Sequence, residues 1–157
     1  MNQKQNTGNT STPYDDVHRT LLTNCSKLII PVVNEVFHKH YGYTEKVTLF
    51  QNEFSYTEDD GKQKRRSTDS HFAIGDMRYH LECQSTPDGT ILFRIFEYDA
   101  QMALQDCEWS EGELTVHFPN TALILLRHTE NTPNSMRMRI EVPNGSCYYD
   151  VPILKVQ

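Results

Sequence analysis

Asp69-Ser70-His71-Phe72-Ala73-Ile74-Gly75-Asp76-Met77-Arg78-Tyr79-His80-Leu81-Glu82-Cys83-Gln84 carries the clearest local pattern in the chain. Phe72 and Ile74 alternate with Asp69, His71 and Ala73, and beyond Gly75-Asp76 the residues Tyr79, Leu81 and Cys83 alternate with Arg78, His80, Glu82 and Gln84. Alternation is the period of a strand, so two such runs around a Gly-containing dipeptide predict a β-hairpin with one apolar and one polar face. With Gly75-Asp76 as a two-residue turn, Ile74 faces Met77, His71 faces His80 and Asp69 faces Glu82. Directly opposed residues have Cβ atoms roughly 4.5–5.5 Å apart, and Gln84 follows Glu82 on the same face.

Outward from the hairpin, the periodicity changes. Residues 91–107 contain neither Gly nor Pro, and Leu92, Ile95, Phe96, Met102 and Ala103 suit the buried stripe of a helix. Leu114–Phe118 and Thr121–Arg127 read as strands, and the near-continuous Leu and Ile of the second predict a central strand covered on both faces. Met136–Val142 and Cys147–Val156 flank Pro143-Asn144-Gly145, a hairpin turn signal. Upstream, Val47–Phe50 reads as a short strand and Thr57–Arg66 as a polar loop. Two helices are expected at about 15–23 and 26–39, the second with Ile29, Val33, Val36 and Phe37 on one stripe and Asn34 and Glu35 at its border. Residues 1–13 lack apolar side chains after Met1 and read as a flexible tail. The order of elements predicts one α/β domain over residues 14–157, built on a mixed central sheet flanked by helices, with additional C-terminal strands. Because Val151–Val156 is still strand-like where the sequence stops, a C-terminal extension is expected to be missing.

Composition narrows the function. The chain has 157 residues, with 15 Lys and Arg against 21 Asp and Glu for a formal net charge of -6. Overall charge therefore does not advertise nucleic-acid binding, and phosphate contacts would have to be local. The one dense basic run is Lys62-Gln63-Lys64-Arg65-Arg66. Mean hydropathy is -0.63, and no apolar stretch approaches the ~20 residues of a membrane-spanning helix. The four cysteines, Cys25, Cys83, Cys107 and Cys147, stand singly, which argues against a disulfide framework or zinc ribbon and for a cytoplasmic setting.

Asp69 opposite Glu82 is an arrangement that stability alone disfavours, because like charges side by side repel. A divalent cation between them reverses the sign. Hard oxygen donors suit Mg²⁺ or Mn²⁺, which binds one or two carboxylates together with substrate phosphate oxygens, as in a phosphodiester hydrolase. The basic run Lys62, Lys64, Arg65 and Arg66 leads into the same strand and supplies positive charge for a phosphate backbone.

Asp69 followed, after twelve intervening residues, by Glu82-Cys83-Gln84 resembles the D...ExQ form of the PD-(D/E)XK nuclease motif. More specifically, the chain is similar to the PD-(D/E)XK family transposases related to the recombination-promoting nucleases of bacteria. Further similar features are Tyr14-Asp15-Asp16-Val17-His18-Arg19, Asn34-Glu35-Val36-Phe37, the run from Glu82 to Gly89, and Arg94 with Tyr98. The resemblance covers about residues 14–157. It implies a restriction-endonuclease-like core and metal-dependent DNA cleavage in transposition or recombination. By position, Asp69, Glu82 and the backbone carbonyl of Cys83 would hold Mg²⁺ or Mn²⁺, and Glu35 would stand for an additional helix carboxylate. Gln84 replaces the superfamily's lysine, and it can orient water or substrate by hydrogen bonds but supplies no charge.

Plainer readings stand beside each of these. Asp69 and Glu82 can be solvated side chains on an exposed hairpin face. His71 and His80 read first as cross-strand surface histidines, and second as partners of Asp69 and Glu82 in a site preferring Zn²⁺ or Fe²⁺. Lys62–Arg66 can be a solvated loop, and Arg94 and Tyr98, one helical turn apart, can fix a helix onto the sheet rather than touch DNA. The functional alternatives are a DNA endonuclease and a non-cleaving nucleic-acid-binding or assembly module on the same fold, with a homodimer left open.

Overall fold

The computed structural model describes residues 26–50, 53–57, 60–67, 70–86 and 88–156. The expected tail, the first expected helix, Cys25 and Asp69 lie outside the described residues.

Helix α1, Ser26–Phe37, turns Ile29, Ile30 and Val33 inward, as spacings of three and four residues require. It is followed by β1, Val47–Leu49, then by β2, Glu53–Thr57, paired antiparallel with β3, Gln63–Ser67. The basic run therefore enters a two-stranded ribbon, where a polar loop is expected from the sequence. The run Gln63–Ser67 is polar throughout, so it carries no apolar alternation to announce a strand.

Strands β4, Ser70–Ile74, and β5, Met77–Gln84, form the expected hairpin. Ile74 faces Met77, His71 faces His80 and Ser70 faces Leu81, the register the sequence predicts. Gly75 takes φ 59 at the first central position of the turn, a conformation that glycine adopts without Cβ strain. Helix α2, Ile91–Gln105, then leads into a small hairpin of β6, Glu108–Ser110, and β7, Glu113–Thr115. Next come β8, Asn120–Leu125, and the hairpin of β9, Ser135–Val142, with β10, Gly145–Lys155.

The central sheet has six strands in the order β1-β4-β5-β8-β10-β9. It is mixed, because β5, β8 and β10 run parallel while the remaining neighbours are antiparallel. Strand β8 sits in its middle, and Ala122 to Leu125 are all buried. Ala122 and Ile124 join Ile29, Ile30, Val33, Phe72, Tyr79 and Leu81 under α1. Leu123 and Leu125 instead join Ile91, Ile95 and Val151 under α2. The two helices therefore cover opposite faces of the sheet, and a strand buried on both faces needs the unbroken apolar run of β8. No described helix is long and apolar enough to cross a membrane.

Candidate functional site

The polar face of β5 is covered, so the plainer reading of a solvated hairpin face does not hold for Glu82. Alternation sends Tyr79, Leu81 and Cys83 towards α1 and His80 and Glu82 towards α2, where His80 is 0% and Glu82 4% exposed. Two ionisable side chains so deep in an α/β layer require partners, since an unpaired buried charge is very costly. The helix and the neighbouring strands supply them.

Arg94, from the first turns of α2, donates from Nη2 to Glu82 Oε1 at 3.0 Å. His80 Nε2 stands 3.4 Å from Glu82 Oε2, and His80 Nδ1 is 2.8 Å from Asp99 Oδ1. Asp99, fully buried on α2, also accepts from Thr121 Oγ1 on β8 at 2.7 Å and from the Tyr149 hydroxyl on β10 at 2.9 Å. With its side-chain amide oriented to satisfy its neighbours, Gln84 accepts from Arg94 Nη2 at 2.6 Å and donates to the Thr86 carbonyl at 3.2 Å. The result is a continuous chain of hydrogen bonds from Gln84 through Arg94, Glu82, His80 and Asp99 to Thr121 and Tyr149.

Charge within this chain is balanced. Burial alone would lower the pKa of His80, but hydrogen bonds to Asp99 and Glu82 and the charges of both carboxylates outweigh it and raise the value to about 9. An imidazolium carries a proton on each nitrogen and can donate to both carboxylates at once. Burial, with the nearby negative charge of Asp99 as a second cause, raises the pKa of Tyr149 and keeps its hydroxyl protonated as a donor.

The protonation of His80 makes a pH-dependent contribution to stability. Its folded-state pKa lies above the ordinary 6.5, so the contribution is complete below pH 6.5 and is lost as pH rises through about 9. The urea midpoint of the wild-type protein is expected to fall between pH 6.5 and pH 9 by more than that of His80→Asn. Equal falls in both proteins would contradict the assignment.

His71 and His80 are therefore not surface histidines. They face each other across the hairpin, both are buried, and the His71 ring packs on Phe50 at 4.8 Å between centroids. Both His80 nitrogens are engaged within the network, Nδ1 with Asp99 and Nε2 with Glu82. Among the described residues no three His, Cys, Asp or Glu stand close enough to hold a metal ion.

The other expected site residues are placed as follows. Glu82, Gln84 and Arg94 come together. Tyr98 is buried against Met102 and edge-on to His80 at 6.0 Å, so it anchors α2 rather than presenting a surface to DNA. Glu35 is exposed on α1, which covers the sheet face opposite to Glu82. The Cys83 side chain is buried on the α1 side. Lys62 is exposed and paired with Asp60 at 2.9 Å, whereas Asp69 and the side chains of Lys64, Arg65 and Arg66 lie outside the described residues.

Sequence reasoning missed Asp99, Thr121 and Tyr149. A signal existed for the first: Asp99 falls on the stripe of Ile91, Ile95, Met102 and Ala103, and a carboxylate there has to be buried with partners. Thr121 and Tyr149 also line a cleft of about 690 Å³ between the end of α1 and the starts of β8 and β9, with Phe37, Phe118 and Asp150.

Of the two carboxylates expected to hold a cation, Glu82 is the one described, and both of its oxygens are engaged, by Arg94 and by His80. Among the described residues, Arg94 Nε and Ser85 Oγ, next to Glu82 and Gln84, are buried donors with no hydrogen-bond partner. Comparisons with protein-family models, with curated proteins and with solved structures give no match for this chain.

Proposed function

We propose that the chain is a metal-dependent DNA endonuclease domain of the PD-(D/E)XK type, cleaving phosphodiester bonds in transposition or recombination. The observation that carries this reading is the register of the β4–β5 hairpin, which pairs His71 with His80 and Ser70 with Leu81. It is the register on which the expected juxtaposition of Asp69 and Glu82 rests. Support also comes from the setting, a mixed sheet with a helix on each face and Glu82 and Gln84 together on a strand next to its centre. Such a layout is compatible with a restriction-endonuclease-like core.

In this reading Asp69, Glu82 and the Cys83 carbonyl hold Mg²⁺ or Mn²⁺. The bound cation would supply an acidified water and charge neutralisation at the scissile phosphate. Gln84 orients water or substrate through its amide, and the ribbon carrying Lys62, Lys64, Arg65 and Arg66 offers positive charge to the DNA backbone. His80 and Asp99 hold Glu82 and α2 in place from behind.

The second reading, a non-cleaving nucleic-acid-binding or assembly module, is favoured by one observation: both oxygens of Glu82 are already engaged, by Arg94 and His80. Incubating supercoiled plasmid with the protein in Mg²⁺ or Mn²⁺, with a chelator control, separates the two. Chelator-sensitive nicking is the expected result. Retention of DNA on a gel with no nicking would establish the second reading instead.

A further inference from the structure

Strand β9 ends the central sheet, and among the described residues no strand pairs with its outer edge. Its partner β10 joins β8 over Ile153–Lys155, so the outer part of the β9–β10 hairpin projects from the sheet as a two-stranded arm. Two strands by themselves are marginal in water, and a bare edge is a template for another strand. Natural edges are blunted by short length, a bulge, Pro or Lys. Residues Ser135–Val142 use none of these: eight consecutive residues pair with β10 without a bulge, and neither Pro nor Lys is among them. The charges that β9 does carry are of both signs, and they indicate what covers the edge.

Alternation sets Met138, Ile140 and Val142 on one face, where Met136 continues the stripe into the core under α2. Met138 and Ile140 are half-buried, and Val142 is 49% exposed. Arg137, Arg139 and Glu141 occupy the other face. Arg137 is held by Asp150 at 2.7 Å, whereas Arg139 and Glu141 are exposed and make no ion pair among the described residues.

We propose that β9 pairs antiparallel with β9 of a second copy of this chain, with Ile140 facing its own counterpart on a two-fold axis. The register sets Arg139 of each copy opposite Glu141 of the other, twice by symmetry, and Met138 opposite Val142. Pairing about such an axis keeps both apolar stripes on one side, so two half-covered stripes become one and two six-stranded sheets become one of twelve. Slipping by two residues sets Arg139 on Arg139, or Glu141 on Glu141, so repulsion disfavours both neighbouring registers. The proposal uses no residue of the nuclease reading and stands or falls apart from it.

Sedimentation velocity of the full chain across the micromolar range tests the pairing. Wild type should show a reversible monomer–dimer equilibrium. Arg139→Glu brings like charges together at both cross-strand pairs, and so does Glu141→Arg, so each variant alone should dimerise about tenfold more weakly or worse. An equimolar mixture of the two restores opposite charges at both pairs and should dimerise as wild type does. A general disturbance of the surface would not produce that recovery.

Wild type that stays monomeric, single variants that dimerise like wild type, or a mixture no better than its components would each overturn the proposal. Should circular dichroism show either variant unfolded, hydrogen exchange of wild type at low and high concentration decides instead. The amides of residues 138–142 should gain protection with concentration, and no gain there would equally overturn it.

Discussion

Replacing Asp99 by alanine is expected to lower the free energy of unfolding by about 3–5 kcal/mol, the cost of removing one partner from a buried ion pair. Asp99 has no solvent exposure and accepts from His80, Thr121 and Tyr149, side chains on β5, β8 and β10. Truncation would leave the His80 imidazolium beside a cavity and orphan two hydroxyl donors at the same time. Unfolding free energies of ordinary domains are about 5–15 kcal/mol, so a loss of this size removes a large share of the whole. Urea denaturation followed by circular dichroism measures it. A loss below about 1 kcal/mol would mean that the network is not what pins α2 to the sheet.

The second large effect concerns chemistry. Glu82→Gln keeps the volume of the side chain, and its amide oxygen can still accept from Arg94, but it removes the negative charge on which cation binding depends. Metal-dependent nicking of plasmid should become undetectable, and Asp69→Asn should have the same effect. Gln84→Ala should be milder, because loss of one orienting contact typically costs roughly 10²- to 10³-fold. A ranking in which Gln84→Ala is the most damaging would contradict the roles given to these three side chains.

How much of this was legible beforehand depended on where each element gets its stability. Strand β8 announced itself because burial on both faces leaves an unbroken run from Ala122 to Leu125. The β4–β5 register was readable because alternation and the Gly75-Asp76 turn specify the same pairing. Strand β3 was not readable, since Gln63–Ser67 pairs through backbone with β2 and has no apolar period. Of the β6–β7 hairpin only the second strand was read, as Leu114–Phe118 where β7 spans Glu113–Thr115, and β6 and the turn escaped notice. That Glu111-Gly112 turn takes φ 48 and 84, the left-handed pair usually marked by Asn-Gly, and the hairpin's short strands are largely exposed.

The same contrast holds for the site. Glu82 and Gln84 followed from local spacing, and Arg94 lies on the helix that follows at once. Asp99 could not be assigned a role from its neighbours, because its partners come from 19, 22 and 50 residues away and meet only when the sheet is assembled. The polar hairpin face is dry for the same reason: α2 brings its own carboxylate and arginine to cover His80 and Glu82, and the local trace of that polar layer is Asp99 on the apolar stripe of the helix.

The central claim, that Glu82 and Asp69 serve one divalent cation in a DNA-cleaving site, is tested most directly by plasmid nicking with wild type, Asp69→Asn and Glu82→Gln purified identically and shown to be folded. The account requires nicking by wild type in Mg²⁺ or Mn²⁺, its loss in chelator, and its loss in both variants. Undiminished nicking by the folded variants would contradict it and place the activity at other residues.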